Sequence, residues 1–418
     1  MQAALSYNEA VSRLRHALKF GIDPSLEPIR AMCRELGQPQ QFYSSIQVAG
    51  SNGKSSTSRM TAALLKAHGR KTGLYTSPHL VRYPERIEVD GKVVSDRLFA
   101  DGIQAAVEAA ARAGVEATEF ELLTAAALWI FHKERVDVAV LECGLGGRWD
   151  ATTVVDPRVA VITGIALEHT KILGDTVEKI AAEKAAIIKP DTTAVLAADL
   201  AAREVFEQRA QSVGARIVQV NPHTSDDFEA ALEHLPMYQR ANAATALTAA
   251  GVILGSKLDK DACMRALGQV VVPGRFEVLR EKPLLMIDAA HNPQSAQVLA
   301  RELAQRFVVA TAPPALAQAQ QGAGRKPIPT LLLGVLADKD VRGVVEALVP
   351  LFKDVVVTAS QSPRAISARH LASIVEDVSG KPPRIAPTIA EALDLLGDTP
   401  TLATGSITVA GEVKRVWC

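Results

Sequence analysis

The residues Ile46–Thr57, I-Q-V-A-G-S-N-G-K-S-S-T, concentrate the chain's most recognisable chemistry. Gly50 and Gly53 let the backbone approach a ligand closely and turn several N–H groups inward. Asn52 lies between them, after Ser51. Lys54 adds a full positive charge, and Ser55, Ser56 and Thr57 open a helical pattern through Met60, Leu64 and Leu65. A helix N-terminus contributes partial positive charge, and a hydroxyl beside the lysine can reach Mg²⁺. Such an order suits the phosphates of a nucleotide. It departs from the strict Walker A pattern at Val48, where that pattern has glycine. A second candidate is Glu142. The run Val136–Leu141 is nearly all apolar, as in a strand buried on both faces, and it ends on this carboxylate. Burying an acid there is costly unless it meets a metal or a donor. Beside a phosphate loop, this is the usual position for holding Mg²⁺, directly or through water. Gly144, Gly146 and Gly147 follow, then Arg148 and Asp150.

Other polar groups sit where strands end. Ser77-Pro78-His79 leaves a short strand at Leu74–Thr76, with Arg82, Glu85 and Arg86 beyond. Glu168-His169-Thr170 follows the strand Val159–Thr163, and the helix 176–189 carries Glu183 and Lys184. Singly, each reads as a capped loop or a solvated charge. In series they read as the ligand-binding carboxyl ends of an open α/β sheet.

The elements that position them alternate strand and helix along the chain. Residues 5–20, 28–36, 96–113 and 119–133 read as helices, as does a small-residue stretch from Tyr238 to Ile253 containing Gln239 and Asn242. Strands are expected near 193–197 and 215–220, and 221–234 reads as polar and irregular. At 418 residues the prior is two domains. The boundary is placed within 277–283, giving 1–279 as a P-loop-type, mostly parallel-sheet ATPase domain. Residues 280–418 form a smaller Rossmann-like α/β domain. This second part restarts with a strand in L-L-M-I-D-A-A-H-N-P (284–293), whose carboxyl end carries Asp288 and His291. Further strands at 330–335 and 355–358 follow, and residues 311–328, rich in Ala, Pro, Gln and Gly, read as a flexible surface insertion. Lys+Arg and Asp+Glu are both 46, a balance against a dominant nucleic-acid or membrane footprint. Four scattered cysteines with no C-x-x-C suggest reduced thiols in a cytoplasmic protein and no zinc site. No signal peptide and no apolar run of about 18–20 residues is present.

In combination these motifs resemble a known family. G-S-N-G-K at 50–54, Y-T-S-P-H-L-V-R-Y-P-E-R-I at 75–87 and E-C-G-L-G-G-R-W-D-A-T at 142–152 are similar to the folylpolyglutamate synthase/dihydrofolate synthase family of Mur-type ligases. So are E-H-T-K-I-L-G-D-T at 168–176, E-K-A-A-I-I-K-P at 183–190, P-G-R-F-E at 273–277, D-A-A-H-N-P at 288–293, L-A-D-K-D at 336–340 and G-S-I-T-V-A-G-E-V at 405–413. The resemblance implies an ATP-dependent amide ligase that phosphorylates a carboxylate and lets the amine of L-glutamate displace phosphate. The acid would be dihydropteroate, a reduced folate, or both in turn. By position, Ser77 with Glu142 matches the ligands of one Mg²⁺, and His169 with Glu142 those of a second. Lys184 matches a lysine that the family carbamylates, turning a cation into a metal-binding anion. Asn242 and Arg275 match adenine and phosphate contacts, Asp288 a ribose contact and His291 a residue of the same cleft. ATP would then lie between the domains, in a monomer.

The sequence departs from the family pattern at Ser55 (usually glycine), Thr153 (asparagine), Glu168 (aspartate), Ala186 (glycine), Tyr238 (histidine) and Ala289 (glycine). These departures keep open a ligase of the same chemistry acting on a different pterin or cofactor carboxylate. A cell-wall Mur ligase is disfavoured, because the 45 residues ahead of Ile46 are too few for its nucleotide-sugar domain. An inactive binding module is disfavoured by Lys54, Glu142, His169, Lys184 and Asp288 occurring together.

Overall fold

The computed structural model describes residues 5–17, 24–308 and 326–417. The chain divides into two compact units, Met1–His234 with Gln239–Val270, and Leu235–Tyr238 with Val271–Cys418. The first is built on β1 (Ser44–Ala49), β2 (Thr72–Tyr75), β3 (Ile87–Val89), β4 (Lys92–Val93), β5 (Val138–Glu142), β6 (Val159–Ile162), β7 (Thr193–Leu196) and β8 (Arg216–Gln219). They pair in the order β4-β3-β2-β5-β1-β6-β7-β8. From β2 to β8 every pairing is parallel, and β3 runs antiparallel to both its neighbours. Strands β2, β5, β6 and β7 are buried throughout, which explains why they read as unbroken apolar runs rather than alternating ones.

Helices form where caps and periodicity agree. Ser95 caps Asp96–Ala113 through the Leu98 amide, and Gly114 ends it at φ +66°. Thr118 and Glu121 make a capping box at the start of Glu119–Lys133. Leu14, Ile29, Phe99, Ile103, Leu128 and Phe131 belong to one apolar cluster with Tyr75 and Leu141 of the strands. A second cluster joins Ala49 and Ile162 to Ile180, Leu196 and Phe206. Burying a side chain of this size stabilises the fold by about 1.5–3 kcal/mol.

One expectation changes, and two fall partly outside the described residues. The first helix runs Tyr7–Ala17, and residues 18–20 lie outside the described residues. The stretch 221–234 is helical rather than irregular: a 3₁₀ segment Pro222–Phe228, capped by Asn221, leads into Glu229–Leu232 and buries Phe228 and Leu232. Most of 311–328 lies outside the described residues, except that Lys326–Pro327 pairs as a strand.

The second unit holds β9 (Glu277–Glu281), β10 (Leu284–Ile287), the parallel pair β11 (Phe307–Val308) and β12 (Lys326–Pro327), and β13 (Thr330–Leu333), β14 (Val355–Val357), β15 (Arg384–Ile385) and β16 (Thr401–Thr404). Its main sheet has the order β15-β14-β13-β16-β10-β9, parallel except for β9. Residues 277–283, where the sequence places the domain boundary, lie within the second unit. They form an edge strand and its turn, and their partly exposed, charged composition is what an antiparallel edge tolerates.

Candidate active site

Four neighbouring strands, β2-β5-β1-β6, deliver the candidate residues of the first unit at one edge. Because they run parallel, their carboxyl ends lie together, the place where open α/β sheets bind ligands. Ser77 follows β2, Glu142 ends β5, Gly50–Lys54 follows β1, and Glu168 and His169 follow β6. The register sets Val48 beside Glu142 and Ala49 beside Ile162.

The phosphate loop is tightly held. A Cβ on Gly50 would lie 1.8 Å from Thr163 Oγ1, and one on Gly53 would lie 2.5 Å from Asn242 Oδ1. Gly53 also has φ +89°, a conformation that favours glycine. Asn242 reaches it because its helix, Gln239–Leu254, is rich in alanine and packs on the loop's helix, Lys54–Ala67. Asn242 Nδ2 donates to Gln239 Oε1 at 2.8 Å. The amides of Ser51 and Asn52 both donate to Gly164 O, at 2.7 and 3.3 Å. Ser51 Oγ donates to Ala166 O and accepts from Ala166 N, each at 3.0 Å. Lys54 Nζ folds back onto Gly50 O at 2.7 Å and Ser51 O at 3.1 Å. Ser56 is buried at the helix start.

Glu142 is 1% exposed. Its Oε1 accepts from Ser55 Oγ at 2.7 Å and its Oε2 from the Ser77 amide at 3.2 Å. Burial raises its carboxyl above the usual range, with Lys54 and the Ser55 bond acting against it. The unexpected Ser55 is thus a direct link from the phosphate loop to the strand-tip acid. Lys184 is likewise buried. Its Nζ donates to Gly50 O and to Glu168 Oε1, both at 2.9 Å. Burial and then Lys54 lower its basicity, while Glu168 works to restore it. Burial pushes Glu168 up, but Lys54 and Lys184 outweigh that and leave its carboxyl lowered. His169 is exposed, in a left-handed backbone at φ +46° ahead of the short helix Thr170–Leu173.

The glycine run after Glu142 is shaped by Asp150, whose carboxylate accepts from the amides of Gly144, Leu145 and Thr152 and from the Thr152 hydroxyl. Gly147 packs so closely that a Cβ would lie 2.8 Å from Glu183 O, on the helix that carries Lys184. Thr153 Oγ1 donates to Gly147 O at 2.6 Å and accepts from Gln47 Nε2 at 2.8 Å. Motif spacing does not disclose this network, because Thr152 and Thr153, on the 3₁₀ turn Ala151–Val154, meet Gln47 of β1 only in the folded chain. A further cluster escaped the sequence. Arg86 Nε donates to His79 Nδ1 at 3.0 Å, the Tyr83 ring lies 4.4 Å from the His79 ring, and Glu119 lies 3.8 Å from Arg86. Burial and then Arg86 push His79 down to about 3, so its ring is neutral. The capping box at Thr118, which fixes Glu119 at the start of its helix, is the one signal that could have located the acid.

The remaining candidates belong to the second unit. Asp288 ends β10 and is buried, accepting from the amides of Phe276 and Ala290, both at 2.8 Å. Burial raises its carboxyl and Arg275 opposes that. His291 Nδ1 donates to Ala289 O at 2.9 Å, and half-buried Arg275 donates to Gly274 O at 3.1 Å.

No group of three or more His, Cys, Asp or Glu side chains suited to a metal is present among the described residues. The donor set at the strand tips is one buried carboxylate beside serines. This fits Mg²⁺, which keeps several waters and leans on one or two carboxylates plus substrate phosphates.

The chain as a whole is similar to known proteins. The Mur ligase middle domain matches residues 48–244. A dihydrofolate synthase/folylpolyglutamate synthase of Mycobacterium tuberculosis is 37% identical over 94% of this chain and 86% of its own length. The M. tuberculosis folylpolyglutamate synthase complexed with ADP superposes with a TM-score of 0.85 at 33% identity, covering 98% of this chain and 99% of that one. E. coli FolC in complex with DHPP and ADP gives 0.83 at 30% identity, over 100% and 98%. A bifunctional folylpolyglutamate synthase/dihydrofolate synthase with Mn, AMPPNP and L-glutamate bound gives 0.82 at 28% identity, over 100% and 99%. With that identity and coverage, this chain belongs to the folylpolyglutamate synthase/dihydrofolate synthase family of ATP-dependent ligases.

Proposed function

We propose that this enzyme joins L-glutamate to dihydropteroate, to reduced folate (poly)glutamates, or to both, through an acyl phosphate, releasing ADP and phosphate. The observation that carries this is Glu142, buried at the tip of β5 and tied to the phosphate loop by Ser55 and to the β2 turn by Ser77. Support comes from the neighbours that bind DHPP with ADP, and AMPPNP with Mn and L-glutamate.

Transfer of a phosphoryl group between two anions needs positive charge and positioning more than covalent help. Lys54 supplies the charge once it exchanges Gly50 O and Ser51 O for phosphate oxygens. Gly50–Ser56 would enclose the phosphates and Asn242 take the adenine; the resemblance gives Arg275 a phosphate, Asp288 the ribose and His291 a place in the same cleft. Two Mg²⁺, held by Ser77 with Glu142 and by His169 with Glu142, would supply further charge at the phosphates. Lys184 takes up CO₂ as its neutral amine, losing a proton to leave a carbamate. That exchange converts a cation bonded to Gly50 O and Glu168 into an anion on the metal side. A ¹³C carbamate resonance appearing with labelled bicarbonate, and absent in Lys184→Ala, checks it. The acyl phosphate is then attacked by the glutamate amine, and phosphate leaves.

The departures at Ser55 and Thr153 are absorbed by bonds to Glu142 and to Gly147, so they give no support to a different acid. We further propose a monomer in the cytoplasm, consistent with buried free thiols at Cys33, Cys143 and Cys263. Among the described residues no helix is long and apolar enough to cross a membrane. The route through an acyl phosphate is tested with ¹⁸O in the acid's carboxylate. One labelled oxygen should appear in each phosphate released; unlabelled phosphate would exclude the intermediate.

A further inference from the structure

Gln47 is the one polar side chain in the run Ile46–Ala49 of β1, and it is fully buried. Its Nε2 donates to Thr152 Oγ1 at 2.9 Å and to Thr153 Oγ1 at 2.8 Å. Both hydroxyl hydrogens are engaged elsewhere. Thr152 Oγ1 donates to Asp150 Oδ1, and Thr153 Oγ1 donates to Gly147 O at 2.6 Å. Toward Gln47 each hydroxyl can therefore only accept, and one amide nitrogen with two hydrogens serves the pair. The same polarity turns Gln47 Oε1 away from the threonines, and that oxygen is buried without a hydrogen-bond partner among the described residues. A buried acceptor left unpaired is destabilising, so the amide is not there for packing alone.

The two relays end in the run that follows Glu142. Asp150 Oδ2 accepts the amides of Gly144 and Leu145, at 2.8 and 2.9 Å. Gly147 lies against the backbone of the helix Val177–Ala185, where a Cβ would stand 2.8 Å from Glu183 O and 3.0 Å from Lys184 Cα. Thr153 O also accepts Lys189 Nζ at 2.8 Å, just beyond that helix. One amide thus joins the phosphate strand, the turn after Glu142 and the helix of Lys184. The phosphate loop itself is anchored separately, on Gly164 O and Ala166 O.

We propose that Gln47 is a positioning residue for phosphoryl transfer, whose two amide hydrogens fix Thr152 and Thr153 and, through them, the Gly144–Gly147 run that sets Glu142 and Lys184. This rests on the ATP-dependent ligase function, and it adds a residue that acts only through others. The hydroxyls, rather than the volume, of Thr152 and Thr153 should then matter, and losses along one relay should not add.

The test is steady-state kinetics against Mg²⁺ concentration for the wild type, Gln47→Met, Thr153→Val, Thr153→Ser and the Gln47→Met/Thr153→Val double variant. ADP binding is measured alongside by calorimetry without divalent metal. Gln47→Met and Thr153→Val should each lower kcat by about 10-fold, the scale of one lost hydrogen bond. Each should also raise the Mg²⁺ concentration that gives half-maximal turnover, while metal-free ADP affinity is unchanged. Thr153→Ser keeps the hydroxyl and should behave as the wild type. The double variant should be no worse than Gln47→Met. An unchanged kcat in Gln47→Met, or additive losses, would overturn the proposal. So would ADP affinity falling in step with kcat, which marks general damage to the fold. If Gln47→Met does not fold, Thr152→Val and Thr153→Val read the relays from their other end. Each should lose activity that serine at the same position restores, and equal activity of the valine and serine variants overturns the proposal. A wild type that releases no ADP with either pterin acid and L-glutamate would instead remove the ligase function, and the proposal with it.

Discussion

Ser55 shows how one unexpected side chain can be accommodated. Its hydroxyl gives Glu142 a donor inside the protein, where a buried carboxylate oxygen without one is expensive. Ser55→Gly should lower the melting temperature by a few degrees and lower activity by about 10-fold, the scale of one hydrogen bond to a charged group. Full activity would show that Glu142 does not depend on that bond. Lys54→Ala should reduce turnover by at least about 100-fold, as for a lost electrostatic stabiliser, while the fold persists. Glu142 also sets a contest between stability and function. Burial raises its carboxyl, so its contribution to stability is present below the unfolded-state value and is lost as pH rises through the folded one. Glu142→Gln should therefore melt higher than the wild type at pH 7, with the difference closing in acid, yet be inactive. A variant that melts lower at pH 7 would contradict that origin of the shift.

The strands and helices were more legible than their contacts. The runs at 136–141, 159–163 and 193–197 announce the buried parallel strands observed at 138–142, 159–162 and 193–196, and 96–113 and 119–133 give both helices at their observed bounds. The β2-β5-β1-β6 order is not written in any local pattern, because parallel neighbours are joined by long crossovers. Nor is β9, whose charged residues fell at the expected boundary and show no strand pattern until β10 pairs with them. The glycine turn and lysine of Gly50–Ser55 were legible in the sequence, while the approach of Asn242 and Thr163 to its two glycines needed tertiary structure. That approach is testable. Gly50→Ala meets Thr163 at 1.8 Å and Gly53→Ala meets Asn242 at 2.5 Å with a left-handed backbone. Each should abolish measurable ADP binding by calorimetry; retained binding would refute the close packing. The turn after β2 carries a different signature. His79 is held neutral with its value pushed down to about 3. A base so depressed contributes stability that is present above its unfolded value, near 6.5, and is lost as pH falls toward about 3. Chemical denaturation at pH 7 and pH 4 should show a shallower loss for His79→Gln than for the wild type. Equal losses would mean that His79 does not drive acid sensitivity.

At the scale of the whole molecule, each unit supplies a parallel sheet whose strand ends carry polar turns, and each has its own apolar core. In the first unit Ser55 bonds Glu142 and Lys184 pairs with Glu168; in the second Asp288 holds the Phe276 amide. In the proposed reaction the nucleotide is consumed only when an acid accepts phosphate and an amine takes it away, which ties ATP turnover to two other substrates. The direct test is ADP release by the full chain with Mg²⁺ and ATP, measured with dihydropteroate and with tetrahydrofolate separately, each with and without L-glutamate. Sustained release should require a pterin acid and L-glutamate together, and the product should gain one glutamate per ADP. Turnover that ignores both pterin acids but responds to some other carboxylate would contradict the folate function.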